Sequence, residues 1–186
     1  MPLRRTIVSS LLAVFLIVFA AAAQAAVMPA KSLNELVHDA DVICTCSVLE
    51  QHSQWDPEQN MIITIVTLQV EERLKGGGGD QIQVEALGGI VGDKGLKVTG
   101  APVFEQGERA VLFLKSAGEN RHHVVGWAQG KFTIRTDPTT GEERIERNLK
   151  GVHLTAPEQA PPATLGQLKS AIGALLAPPA QPQPAP

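Results

Sequence analysis

Two cysteines, five histidines and a scatter of carboxylates are the side chains through which this chain could do chemistry. Cys44 and Cys46 stand either side of Thr45. On a strand, side chains two residues apart share a face at a separation of about 6.5 to 7 Å. A disulfide between them would distort the backbone. The spacing therefore predicts a pair of buried thiols acting as small apolar groups, with a redox pair or a soft-metal pair as the functional alternative. Two thiolates alone leave a tetrahedral zinc site incomplete. His38, His52, His122, His123 and His153 are scattered, and the adjacent His122 and His123 point to opposite faces of a strand. The spacing thus implies neither a metal site nor a cofactor. The sequence holds no Gly-x-Ser-x-Gly elbow, no Cys-Gly-x-Cys nucleophile motif and no Asp-x-Asp-x-Asp-Gly calcium loop. The glycines at 76–79 follow Lys75 and precede a strand pattern, so they form a turn and not a phosphate cradle. Asp56, Asp93 and Glu105 fall in expected loops and read as solvated. Trp55, with Asp56 beside it, and Trp127 are the aromatic positions best suited to touching a partner, since tryptophan anchors recur in interfaces.

The elements that position these residues follow from the pattern of apolar side chains. Ser32-Leu33-Asn34-Glu35 forms a capping box, and Leu33, Leu36, Val37 and Ala40 then share one helical face. From Asp41 the period becomes two, through Val42, Cys44, Cys46 and Val48. A polar loop over 51–60 ends that strand. Met61 to Leu74 is a long β-branched run whose length predicts a bend or bulge. Gln81 to Leu87 alternates again, 88–102 is punctuated by glycine, and Arg109 to Lys115 is apolar on both faces, as in a strand at the middle of a core. Arg121 to Trp127 and Lys131 to Arg135 continue the sheet, with a turn at 137–141. Strands at this spacing with no intervening helix predict a mainly β fold, a closed or partly closed antiparallel barrel. Thr164 to Leu176 reads as a helix with its own capping box and a Leu165, Leu168, Ile172, Leu176 stripe.

Composition bounds the partners. The chain of 186 residues carries 16 basic and 19 acidic side chains, a net charge of −3, which is the wrong sign for a nucleic-acid binder. It has no Tyr, two Trp and five Phe, so it offers few stacking platforms for bases. Met1–Ala25 has the basic start, apolar run and Ala23-Gln24-Ala25 site of a secretory signal peptide. The expected organisation is 1–25 signal peptide, 26–150 barrel, 151–163 Pro/Ala linker, 164–177 helix and 178–186 Pro-rich tail. The expected location is secreted or periplasmic, with no stable membrane anchor after cleavage.

Several landmarks recur together: Ala40-Asp41-Val42-Ile43, the strand ending Leu74-Lys75-Gly76, and Gly107-Glu108-Arg109-Ala110-Val111-Leu112-Phe113-Leu114. Over roughly residues 33–135 the chain resembles the netrin-like modules, which include the tissue inhibitors of metalloproteinases, and bacterial exported domains, some of them found beside secreted metalloproteases. The resemblance implies an OB-like antiparallel β-barrel, flanked here by a short N-terminal helix and a C-terminal helix. The inhibitors chelate the protease zinc through an N-terminal cysteine. This chain is expected to begin at Ala26 and keeps its cysteines inside a strand, so the resemblance carries the barrel and not that mechanism. The expectation is an exported non-catalytic binding module with a protein partner, contacting it through 51–60 and 88–102. A protease-associated or inhibitory module, with a secreted protease as partner, and a small metal-dependent hydrolase are the alternatives.

Overall fold

The computed structural model describes residues 26–178 apart from 57, 59, 119 and 157–159. The expected signal peptide and nearly all of the Pro-rich tail lie outside the described residues. In chain order the elements are β1 (Ala26–Met28), α1 (Leu33–Asp39), β2 (Val42–Asp56), β3 (Met61–Lys75), β4 (Gln81–Leu87), β5 (Gly89–Val91), β6 (Lys94–Leu96), β7 (Arg109–Ser116), β8 (Arg121–Val124), a 3-10 turn (Trp127–Gly130), β9 (Lys131–Thr136), β10 (Glu143–Glu146), β11 (Val152–Leu154) and α2 (Leu165–Leu176). α1 starts where its cap demands. Ser32 Oγ accepts the Glu35 N–H at 3.3 Å, and Glu35 Oε2 accepts the Ser32 N–H at 2.7 Å. At α2 only half of that arrangement forms. Thr164 Oγ1 accepts the Gln167 N–H at 3.3 Å, while Gln167 Oε1 takes the Ala163 N–H at 3.0 Å.

The main sheet has the order β10-β9-β7-β2-β3-β4-β8, and a further β7–β8 pairing closes five of its strands, β7-β2-β3-β4-β8, into a ring. The fold is therefore mainly β, as the strand spacing predicts. The expectation that every pairing is antiparallel needs correction, because β4 and β8 run parallel through Gln83↔Arg121 and Val84↔His122. Directions cannot alternate all the way around a ring with an odd number of strands, so at least one parallel pair must occur. The β2–β3 ladder shifts register three times, with Leu74 and Glu71 as extra residues on β3, as the length of the Met61–Leu74 run predicts, and Leu49 as the extra residue on β2. These bulges curl the β2–β3 pair, and β2 pairs with β3 along its length and with β7 over Val42–Ser47.

β2 also runs further than the sequence pattern suggests. The expected polar loop at 51–60 is strand as far as Asp56, paired residue by residue with β3 from Glu50↔Thr67 to Asp56↔Met61. Beyond the ring this arm is solvated, so its backbone hydrogen bonds form without the alternating burial that makes a strand visible in sequence. Likewise Val152–Leu154, inside the expected 151–163 linker, forms β11 and pairs in parallel with β1.

Both faces of the ring are packed. Inside lie Val42, Cys44, Cys46, Val66, Leu68, Val84, Leu112 and Leu114. Outside, α1 and α2 lie together over Ile43, Val111, Phe113, Phe132 and Ile134, with Leu36, Leu165, Leu168 and Ile172 as the inserted side chains. The Phe113 and Phe132 rings meet at 5.6 Å, tilted by 55°. β7 is buried on both faces, as its unbroken apolar run predicts. The C-terminal helix docks on the ring, and each buried leucine there contributes about 1.5–3 kcal/mol.

Candidate functional site

The landmark residues fasten the frame. Asp41 accepts from Lys115 Nζ at 2.8 Å and from the Ser116 N–H at 3.0 Å, tying the start of β2 to the end of β7. Lys75 Nζ donates to the Val37 and Ala40 carbonyls at 2.7 and 2.6 Å, which satisfies C-terminal carbonyls that α1 would leave open. Gly76, at φ +79°, passes so close to Asp41 that a Cβ would sit 2.3 Å from its carbonyl oxygen. Arg109 bridges Glu71 on β3 at 2.8 Å and Glu143 on β10 at 2.5 Å. Its neighbour Glu108 turns the other way, to β9. Lys131 Nζ reaches Glu108 Oε1 at 2.6 Å, Thr133 Oγ1 donates to the same oxygen at 2.5 Å, and Lys131 Nζ also donates to Thr133 Oγ1 at 3.1 Å. The Lys131 and Glu108 side chains are only 9% and 6% exposed, and the ammonium lies 5.1 Å from the centre of the Phe104 ring. Burial pushes the Glu108 carboxyl up, but the hydrogen bonds from Lys131 and Thr133 outweigh it and hold the group below its ordinary value.

The thiols lie inside the ring, both free, with Cys44 0% and Cys46 1% exposed. Cys46 Sγ donates to the Ala110 carbonyl at 3.6 Å. A hydrogen bond between the two thiols lowers the Cys44 pKa against the opposing effect of burial, and the same bond together with burial raises that of Cys46. Among the described residues no group of three or more His, Cys, Asp or Glu is placed to hold a metal ion.

Trp55 lies on the β2 arm and not in a loop. It is opposite Ile62, partly exposed, and capped by Lys94 Nζ 5.6 Å from the ring centre. Asp56 Oδ1 accepts the Glu58 N–H at 2.9 Å, a local turn contact. Trp127 sits elsewhere, at the start of the 3-10 turn. Its φ is +60°, directly after Gly126 at +64°. A bulky residue in the left-handed region costs about 1–3 kcal/mol and persists only where its surroundings demand it.

Parts of the two stretches expected to touch a partner, Gln51 and Ser53 of one and 88–90 and 96–102 of the other, meet at an open cleft of about 750 Å³, whose described lining includes none of Trp55, Asp56 and Trp127. Gln51 and Ser53 from the β2 arm, Thr64, and residues 86–90 and 96–104 line it, together with Ala128, Lys131, Thr133 and residues 148 and 150–152. In one wall, Ser53 Oγ and Thr64 Oγ1 lie 2.9 Å apart, and Thr64 donates to the Gly88 carbonyl at 2.7 Å. Gly89, at φ +137°, covers that pair. A Cβ there would sit 2.2 Å from Ser53 Oγ, so only glycine fits. Ile90 and Val103 line the cleft yet are 74% and 68% exposed. Lys97, Lys131 and Lys150 are the only charged side chains among its lining residues. The sequence reading missed the contributions of 128–133 and 148–152. The apolar residues Ile90 and Val103, in a stretch punctuated by glycine at 88, 89, 92, 95 and 100, were the available signal. Comparison with protein-family models and with curated protein sequences gives no match.

Proposed function

We propose that the protein is an exported, non-catalytic binding module built on an OB-like barrel, with the cleft beside Gly89 and Lys131 as its recognition surface. Support for the barrel comes from the ring order, the bulged strand that pairs on both sides, and the parallel closure between β4 and β8. The basic start and apolar run of Met1–Ala25 support export. The observation that carries the binding role is the exposure of Ile90 and Val103 on a concave surface whose lining charges are all cationic. Exposed apolar side chains that converge on a cleft are the usual mark of a contact site.

The test compares wild type with Ile90→Ser/Val103→Ser in capture from the native envelope and culture fluid. Because both side chains already face solvent, the melting temperature should stay within about 2 °C. A partner retained by the wild type and lost by the variant is the expected result, and a metalloprotease in that position would identify the module as protease-associated. The same proteins in the same yield from both would overturn the reading.

A further inference from the structure

We infer that a second copy of this chain pairs with the open edge of the β2 arm, antiparallel and about a two-fold axis at His52, so that two sheets join into one. This pairing stands or falls independently of what fills the cleft.

The edge follows from the ladder itself. β2 has β7 as its second neighbour only over Val42–Ser47, and Glu50–Asp56 pairs with β3 alone. Ile62 gives its carbonyl to the Gly88 N–H at 2.8 Å, on the β4 side. Along an antiparallel ladder successive residues turn their N–H and C=O to opposite sides, so Ile63, Ile65 and Thr67 face β2 and bond Gln54, His52 and Glu50. The N–H and C=O of Gln51, Ser53 and Trp55 therefore point away from β3. Among the described residues none of these groups bonds backbone elsewhere. The β5–β6 hairpin lies over one face of the arm, with Gly89 against Ser53 and Lys94 against Trp55, but forms no ladder with β2. An open edge is a template for a further strand, and monomeric proteins blunt it with lysine, proline or a covering element. Gln51-His52-Ser53-Gln54-Trp55 contains no Lys, Arg, Pro, Asp or Glu.

The arm is also complementary to itself, which is what selects a second copy as the occupant. With His52 opposite His52 of the second copy, Gln51 exchanges main-chain hydrogen bonds with Ser53 of the second copy, and Glu50 faces the amide of its Gln54. The two-fold repeats each pair, and no carboxylate meets another. Leu49 and Trp55, 40% and 44% exposed, come opposite each other at both ends of the join. Moving the axis to Ser53 would instead set Glu50 against Asp56 twice, and like charges directly opposite are destabilising. The axis is perpendicular to the joined sheet, so both clefts, each with Gln51 and Ser53 in its lining, open to the same side. One strand edge buries less than the roughly 1,200–2,000 Å² of a standard interface, so the dimer is weak and concentration-dependent.

Sedimentation velocity and amide NMR of the exported protein from about 5 μM to 1 mM give the test. A monomer–dimer equilibrium is expected, with amide shifts at 49–56. His52→Lys sets two cations face to face and should weaken association at least about tenfold, whereas His52→Gln should keep it. Gln51→Pro removes an outward N–H that β3 does not use, and should abolish the dimer while the far-UV circular dichroism stays that of the wild type. Position 52 forms a non-hydrogen-bonded pair, where side chains approach closely, so oxidised His52→Cys should give a disulfide-linked dimer and Gln54→Cys should not. A monomer at every concentration overturns the inference, as does association that both His52→Lys and Gln51→Pro leave unchanged. Faster cross-linking through Gln54→Cys than through His52→Cys overturns the two-fold at His52. Shifts at 49–56 that appear on adding culture fluid and not on concentrating the protein would give the edge to a different chain and overturn the second copy.

Discussion

Replacing Glu108 by alanine would leave the Lys131 ammonium unpaired in a site where its side chain is 9% exposed, and would take from Thr133 the acceptor it bonds at 2.5 Å. Removing one partner of a buried pair costs about 3–5 kcal/mol, because the remaining charge has lost both water and counterion. For a chain of this size that corresponds to a fall in Tm of about 6–20 °C. It is also a large part of the stability of about 5–15 kcal/mol that folded domains have. Replacing both residues in Glu108→Gln/Lys131→Met removes the charges together and should cost much less, within about 1–2 kcal/mol of wild type. Urea denaturation of the three proteins, monitored by tryptophan fluorescence, gives the comparison. The pH dependence gives a second one. The Glu108 carboxyl is held below its ordinary value in the folded chain, so protonation favours the unfolded state. Its contribution is complete above the ordinary carboxylate range and is lost as pH falls through the lower folded value. The gap between wild type and Glu108→Ala should therefore be constant near pH 7 and close in acid. A Glu108→Ala protein within about 1 kcal/mol of wild type at pH 7, unfolding in one cooperative transition, would refute the pairing as the fastener of β7 to β9.

Three further outcomes follow from single residues. Thr45 Oγ1 is buried without a hydrogen-bond partner among the described residues, so Thr45→Val should raise stability by about 1 kcal/mol in thermal melts; a lower Tm would mean that the hydroxyl is satisfied. Gly76→Ala places a Cβ 2.3 Å from the Asp41 carbonyl at φ +79° and should destabilise by about 2 kcal/mol or more, whereas Gly77→Ala, with nothing within 4 Å, should cost far less. With Cys44 0% and Cys46 1% exposed, a thiol reagent should label native protein at the rate of global opening and unfolded protein at once; immediate labelling of the native chain would show that the ring interior is open.

Local signals in the sequence were enough wherever one element decides its own structure. The Ser32 and Glu35 cap fixes the start of α1, and the unbroken apolar run of β7 could only be buried on both faces. Non-local choices left weaker traces. The last residues of β2 are polar on both sides, since their pairing with β3 needs only backbone groups, so they resemble a loop. The parallel closure of β4 on β8 involves few residues and follows from counting strands around a ring, which no single stretch records. The cleft is less legible still, because its walls come from six separated places, 51–53, Thr64, 86–90, 96–104, 128–133 and 148–152. The thiols stand out in sequence by type, yet their setting is that of core side chains.

The landmarks behind the netrin-like resemblance have a shared physical meaning. Asp41, Lys75, Gly76, Glu108 and Arg109 each join two elements that are distant in sequence, through an ion pair, a capped helix end or a close backbone approach. Residues of this kind hold the strands and α1 in place, and their polar groups are already engaged in doing so. A charge consumed by the frame has little left to offer a ligand, which is why the landmarks speak to architecture and not to recognition. The groups left unmatched carry the opposite message. Among the described residues Lys97 and Lys150 face no carboxylate and Ile90 and Val103 are left largely uncovered, and all four line one cleft. Folding alone gives no reason to keep them there, because each would be at least as well accommodated as an ordinary solvated surface residue away from the others. Their convergence is therefore the feature of this molecule that a binding partner explains best.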